Sequence, residues 1–224
     1  MATAMLPFDL IGFDLDGTLV DTSGDLAAAL NYALGTIGRG PLSVEQVSRM
    51  VGRGARVTLT RALTVTGGAA PELIERLFPI LIDRYAAHIA VLSRPYPGAV
   101  DALDALAARG ARLAVCTNKL ERLARLVLDT LGLGDRFVAV VGGDSTEALK
   151  PDPTPLRAMI DQAGGGRTLF VGDSDNDMLA AKAAGVPSVA VSFGYVAGDP
   201  KDLGADALIG GYHELVPLIE NWAH

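Results

Sequence analysis

Asp14 and Asp16 stand two residues apart, directly after the apolar run Leu10-Ile11-Gly12-Phe13. That run reads as a buried strand, and side chains at i and i+2 of a strand share a side. Gly17 follows at once and lets the backbone turn sharply beside a ligand. Carboxylates crowded at a strand end, with no adjacent Lys or Arg, repel one another unless a cation sits between them. Hard oxygen ligands of this kind suit Mg²⁺. A second acidic cluster, Asp173-Ser174-Asp175-Asn176-Asp177, closes the apolar run Thr168 to Gly172. Asp173 at the strand end can ligate a metal, and Asp177 lies one helical turn further, on the same side if a helix has begun. Asp175 reads as an exposed first-turn helix residue, favoured there by the helix dipole. Alone, either cluster is equally an acidic turn or a helix cap; the two together favour a metal site.

Two further strand ends carry polar groups. Thr117 and Asn118 follow Ala111 to Cys116, and a hydroxyl, an amide and backbone N–H groups at a helix N-terminus make an anion site. An ordinary N-cap is the plainer alternative. Lys150, in a loop stiffened by Pro151 and Pro153, can hold a carboxylate and a phosphate oxygen together, although by itself it is also a solvated loop lysine.

The elements that must position these groups alternate. A strand over Phe8–Asp14 is expected first. Strands over 111–116, 137–141, 168–172 and 188–191, with a short one at 207–209, are interleaved with helices at 99–109, 120–131, about 154–163, 178–184 and around 214–221. This predicts an α/β fold: a Rossmann-like, doubly wound parallel sheet whose ligands bind outside the C-terminal strand ends. The acids, Thr117, Asn118 and Lys150 all fall at those ends. Between Thr22 and Arg94 strand signals nearly vanish. An Ala-rich helix there has Thr22, Ser23 or Asp25 as candidate caps, and a second helix follows Ser43, with Gln46 in the capping-box position. Helices over 56–64 and 71–88 complete an all-helical cap domain at 22–94, inserted into a core of 1–21 and 95–224. Ser93 to Gly98, with Pro95 and Pro97, reads as a stiff return linker.

The 224 residues suffice for one substantial core plus a small second domain, and 50% hydrophobic with 20% charged residues is globular rather than disordered. A net charge of -7 argues against general nucleic-acid binding, while a local cation and a lysine can still favour an anionic substrate in one cleft. Cys116 is the single cysteine, so no intrachain disulfide can form and a reducing compartment is expected. The first ten residues show neither a basic n-region nor a long apolar core, so a cytoplasmic protein without signal peptide, membrane span or membrane partner is the expectation.

With these residues in order, the sequence resembles the haloacid dehalogenase superfamily, specifically its Mg²⁺-dependent phosphatases with a helical cap. The motifs are Asp14-Leu15-Asp16-Gly17-Thr18, Thr117-Asn118, Lys150, and Gly172-Asp173 through Asp177. Within that superfamily, Val51-Gly52-Arg53-Gly54-Ala55, Cys116-Thr117-Asn118-Lys119, Gly142-Gly143-Asp144 and Lys150-Pro151-Asp152-Pro153 are similar to bacterial phosphoglycolate phosphatases. The resemblance implies Asp14 as nucleophile, forming an aspartyl-phosphate, and Asp16 as general acid and then base. It implies Mg²⁺ held by Asp14, the Asp16 carbonyl, Asp173 and Asp177, with Thr117, Asn118 and Lys150 binding phosphate. It further implies that the cap closes over a small phosphorylated metabolite, with Arg53 on the loop that reads a substrate carboxylate.

Asp16 argues against a dehalogenase, whose halide needs neither this acid nor Mg²⁺. The alternatives are a related phosphatase for sugar phosphates, nucleotides or pyrophosphate and, from another class, a non-catalytic phospho-acceptor or binding domain. A phospho-acceptor would lack the helical insertion and would give Asp16 no role. A binding protein built on this fold is expected to have lost one of the motif residues, and none is missing. Cys116 reads as packed core, His88 and His213 as surface residues, Arg56 as a weaker candidate than Arg53, and Trp222 as a terminal anchor.

Overall fold

Short runs of Ile, Val, Leu and Phe bounded by turn residues become parallel strands here, and amphipathic stretches between them become crossover helices. The computed structural model describes residues 6–195 and 198–222. In chain order these hold β1 (Leu10–Phe13), β2 (Val20–Asp21), α1 (Ser23–Gly35), α2 (Val44–Ser48), α3 (Ala55–Thr66), α4 (Pro71–Ala87) and β3 (Arg94–Pro95). There follow α5 (Ala99–Ala108), β4 (Arg112–Cys116), α6 (Glu121–Thr130), β5 (Ala139–Val141), α7 (Thr154–Gln162), β6 (Thr168–Gly172), α8 (Asp175–Ala184), β7 (Ser188–Val191), β8 (Ala207–Ile209) and α9 (Leu215–Glu220). Six strands form one sheet in the order β5-β4-β1-β6-β7-β8, parallel throughout.

Both sheet faces are dry, as parallel sheets require. Along β1, Leu10 packs with Ala114, Cys116, Phe170 and α7 residues Leu156 and Met159 on one face. Ile11 and Phe13 join Leu113, Val115, Leu169 and Val171 on the other. That second core continues without a break into Leu30 and Leu34 of α1 and Leu77 and Leu81 of α4. The four helices α1–α4 pack on one another, with α4 against α1 and α3. None of the described helices is long and apolar enough to cross a membrane.

Several boundaries differ from expectation for identifiable reasons. The first strand is shorter than Phe8–Asp14 because the chain turns on reaching the acidic loop. The 137–141 strand pairs only from Ala139. Helix α8 begins at Asp175 rather than Met178, since the Asp177 carboxylate reaches back to the Ser174 N–H at 3.0 Å and to its hydroxyl at 2.6 Å, fixing the first turn. Thr22 does not cap α1. Its hydroxyl donates to Asp16 Oδ1 at 2.6 Å, and Asp21 Oδ1 accepts from the Ser23 N–H instead. Ser43 and Gln46 do form the expected capping box. The return linker is not merely extended: Arg94 and Pro95 pair antiparallel with Asp21 and Val20, so both chain crossings run side by side in a two-stranded ribbon.

Candidate active site

The loop after β1 begins at Asp14, whose N–H donates to the Val171 carbonyl at 2.9 Å and so continues the β1–β6 ladder by one residue. Gly17, at φ 87°, then reverses the chain, and its N–H bonds the Val20 carbonyl. A Cβ at position 17 would collide with the Asp173 carboxylate, so close approach as well as backbone angle calls for glycine. This turn brings Asp14 beside Asp173 and Asp177. The three are buried and each offers a carboxylate oxygen within 4.8 Å of the others.

Buried carboxylates at this spacing disfavour ionisation. Burial pushes the Asp14 carboxyl up to about 6, Lys150 pulls it back, and Asp177 and Asp16 raise it further. Burial, then Asp177 and Asp14, hold Asp173 well above the usual range. Their repulsion is partly met by one ammonium. Lys150 Nζ donates to Asp14 Oδ1 at 2.9 Å, to Asp177 Oδ1 at 2.7 Å and to the Cys116 carbonyl at 2.6 Å. All three donors are used; burial pulls this lysine down, but Asp14 and Asp177 together outweigh it and hold it above its usual value. Thr18 and the Tyr195 N–H both donate to Asp173. One cation still faces three acids, and an all-oxygen, anionic donor set of this kind fits a hard divalent metal ion.

Asp16 is not part of that cluster. Its carboxylate receives Lys119 Nζ at 2.8 and 2.9 Å, together with the Thr22 hydroxyl. Thr117 is buried at the end of β4, and its N–H bonds the Val141 carbonyl. Asn118 is fully engaged through its side chain: its amide donates to the carbonyls of Gly52 and Lys150, and its oxygen accepts from the Lys150 N–H, all at 2.9 Å. This clip holds the lysine loop and ties the α2–α3 loop to the strand ends. Asp14, Asp16, Thr117 and Asn118 line one cavity, whose far wall comes from α1, α3 and α4.

Arg53 is the expected residue that the structure brings neither to that cavity nor to the acid cluster beside it. Its neighbours Gly52 and Gly54 line the cavity, but the Arg53 side chain turns outward, half exposed, and donates to Asp175 Oδ2 at 3.1 Å. The positive φ of both flanking glycines directs this loop's backbone, not the guanidinium, inward. Arg56 likewise pairs with Glu75 and stacks over Phe78.

Residues 11–191 match the family model for haloacid dehalogenase-like hydrolase. The chain belongs to that family. It is 46% identical over 209 residues to a phosphoglycolate phosphatase from Caulobacter vibrioides, covering 90% of this chain and 86% of that one. It is 43% identical over 210 residues to a phosphoglycolate phosphatase from Agrobacterium fabrum, covering 92% and 90%. The crystal structure of a predicted phosphoglycolate phosphatase from Haemophilus somnus superposes with a TM-score of 0.90 at 31% identity, covering 96% of this chain and 99% of that one.

Two residues of this haloacid dehalogenase-like hydrolase escaped sequence reasoning. Lys119 directly follows Thr117-Asn118, and its signal was simply that a lysine at a buried strand end needs an anionic partner. Tyr85 lies on the Leu77, Leu81, Ile82 stripe of α4 and looked like core, which by burial it is. Only the topology shows that this stripe faces the acids.

Proposed function

We propose that this hydrolase cleaves 2-phosphoglycolate to glycolate and phosphate with the help of Mg²⁺, and that residues 22–94 act as its cap. The observation that carries the reading is Asp14, held by Lys150 beside Asp173 and Asp177, with Asp16 two residues on at the wall of a narrow cavity. The relatives' names supply the leading substrate.

In this reading Asp14, the Asp16 carbonyl, Asp173 and Asp177 would hold the metal. When bound, Mg²⁺ neutralises part of the charge on the phosphoryl oxygens. The Asp14 carboxylate attacks phosphorus, the phosphorus–ester oxygen bond breaks, and the leaving alkoxide takes a proton from Asp16. Asp16 then removes a proton from a water that attacks the aspartyl-phosphate, releasing phosphate and restoring Asp14. General acid–base help of this kind contributes about 10²–10⁴-fold. Lys150 orients Asp14 and shares the phosphoryl charge, Thr117 donates to phosphate, and Asn118 holds Lys150 in place. The helices over the cavity exclude water from the acyl phosphate.

The test is phosphate release from 2-phosphoglycolate, sugar phosphates, nucleotides and pyrophosphate, with and without Mg²⁺, beside Asp14→Asn. A lead for 2-phosphoglycolate of tenfold or more in kcat/KM, about 1.4 kcal/mol, is expected. A different leading ester would overturn the substrate, and an active Asp14→Asn the mechanism.

A further inference from the structure

Two polar groups that the mechanism above does not use line the cavity, Lys119 beside Asp16 at the strand ends and Tyr85 on the helical wall. Lys119 Nζ is buried, with its side chain 5% exposed, and lies 4.5 Å from the centre of the Tyr85 ring. The Tyr85 hydroxyl is buried and has no hydrogen-bond partner among the described residues. A buried hydroxyl left unpaired is costly and unusual, and it marks a place where a ligand atom belongs. Burial pushes that hydroxyl up to about 12, so it stays a neutral donor at physiological pH. Around the pair the wall is apolar, from Leu26, Leu30, Leu81 and Ile82. An ammonium and an unpaired hydroxyl on neighbouring side chains, beside an apolar wall, offer a site for one small anion.

Where that anion sits relative to the reacting bond follows from Asp16. To protonate the leaving oxygen, Asp16 must come within about 2.6–3.2 Å of it. Lys119 already sits 2.8 and 2.9 Å from the same carboxylate. The leaving oxygen and the ammonium are therefore at most about 6 Å apart, the sum of those two hydrogen bonds. An acid group meets the ammonium only if it is carried on the carbon next to the leaving oxygen or one further along.

We propose that Lys119 and Tyr85 form the carboxylate-recognition site of this enzyme and confine it to short acids phosphorylated at the α- or β-hydroxyl. The inference rests on the phosphatase reading above and replaces Arg53 with Lys119 as the residue that reads the acid. In the state described here Asp16 occupies the ammonium. An entering substrate carboxylate takes over one of those two hydrogen bonds and gains one from Tyr85, leaving one Asp16 oxygen free for the ester oxygen while the other stays on the ammonium. Recognition of the acid is thereby coupled to release of the catalytic group.

The test compares 2-phosphoglycolate with ethyl phosphate, which lacks the carboxylate, on wild type, Lys119→Met and Tyr85→Phe. Titration calorimetry with glycolate serves as a readout independent of turnover. Wild type should prefer 2-phosphoglycolate. Lys119→Met should lower the ratio of the two kcat/KM values by about 100-fold and Tyr85→Phe by about tenfold, as expected for a charged and a neutral hydrogen bond. Glycolate binding should weaken in both variants. If Lys119→Met slows both esters alike and glycolate still binds, Lys119 only positions Asp16 and the assignment is wrong. Should Lys119→Met not fold, an unchanged ratio in Tyr85→Phe would overturn the site just as well. If wild type fails to turn over 2-phosphoglycolate but hydrolyses ethyl phosphate, it is the substrate reading that falls instead.

Discussion

Lys150 Nζ donates to Asp14 Oδ1 at 2.9 Å across 136 residues of chain, and both side chains are buried. The same ammonium reaches Asp177, so one lysine pairs with two of the three clustered acids. Removing it leaves charge buried without compensation, which costs about 3–5 kcal/mol. Lys150→Met should therefore lower the melting temperature of the metal-free protein by about 10 °C, taking 2–4 °C per kcal/mol for a chain of this size. It should also cut kcat by about 10²–10³. Thermal unfolding with and without Mg²⁺ checks this, and a metal-free variant as stable as wild type would contradict the pairing.

The acids themselves give a pH signature. The Asp14 carboxyl rises from 3.8 to about 6 in the folded chain, so the folded state holds its proton more tightly than the unfolded state. Stability from this group is complete below about pH 4 and is lost as pH climbs to about 6. The loss is on the order of 3 kcal/mol, two pKa units at 1.36 each. Relative to Asp14→Asn, metal-free wild type should lose stability across that window. Adding Mg²⁺ at pH 7 should restore it, because only the folded state offers the site. Urea unfolding from pH 4 to 7 measures both, and parallel curves for wild type and Asp14→Asn would exclude the shift.

Arg53 is expected to matter little. Its pair with Asp175 is exposed, with side chains 50% and 56% accessible, and such pairs contribute about 0–1 kcal/mol. Arg53→Ala should change kcat/KM for 2-phosphoglycolate by no more than about threefold, within that range. A hundredfold loss in steady-state kinetics would return Arg53 to the substrate site.

The sheet was legible because each buried strand is a short apolar run closed by a turn residue. The acids were legible because Asp14, Asp16, Asp173 and Asp177 sit where such runs end. What could not be read depends on which surfaces meet. Arg53 lies in a loop that does reach the acids, but two glycines turn its backbone inward and its side chain outward. Tyr85 sits on an apolar helical stripe that faces Asp14, Asp16 and Thr117 to Lys119, none of them near it in sequence, so period alone files it as core. Asn118 was expected at an anion site through its amide and the backbone N–H groups around it; the bonds of its side chain to the Gly52 and Lys150 backbone depend on loops that sequence does not bring together.

Asp25 sets the last expectation. It is buried in the first turn of α1 and receives the Leu92 N–H at 3.0 Å, the Ser93 N–H at 2.8 Å and the Ser93 hydroxyl at 2.6 Å. These bonds fasten the end of the helical segment to its beginning, next to the ribbon formed by Val20–Asp21 and Arg94–Pro95. Asp25→Asn keeps the shape, but the Leu92 N–H bonds both carboxylate oxygens at 3.0 Å and would then face an NH2 donor, and the remaining bonds lose their charge assistance. Such a loss costs about 1–3 kcal/mol. Because Asp25 does not touch the acid cluster, the cost should fall on stability and on the Leu92 and Ser93 amides, which should exchange hydrogen faster than those of the β1–β6 ladder. Exchange mass spectrometry of the segment around Ser93 decides it. Protection unchanged there in Asp25→Asn would mean that the β2–β3 pairing alone holds the two crossings together.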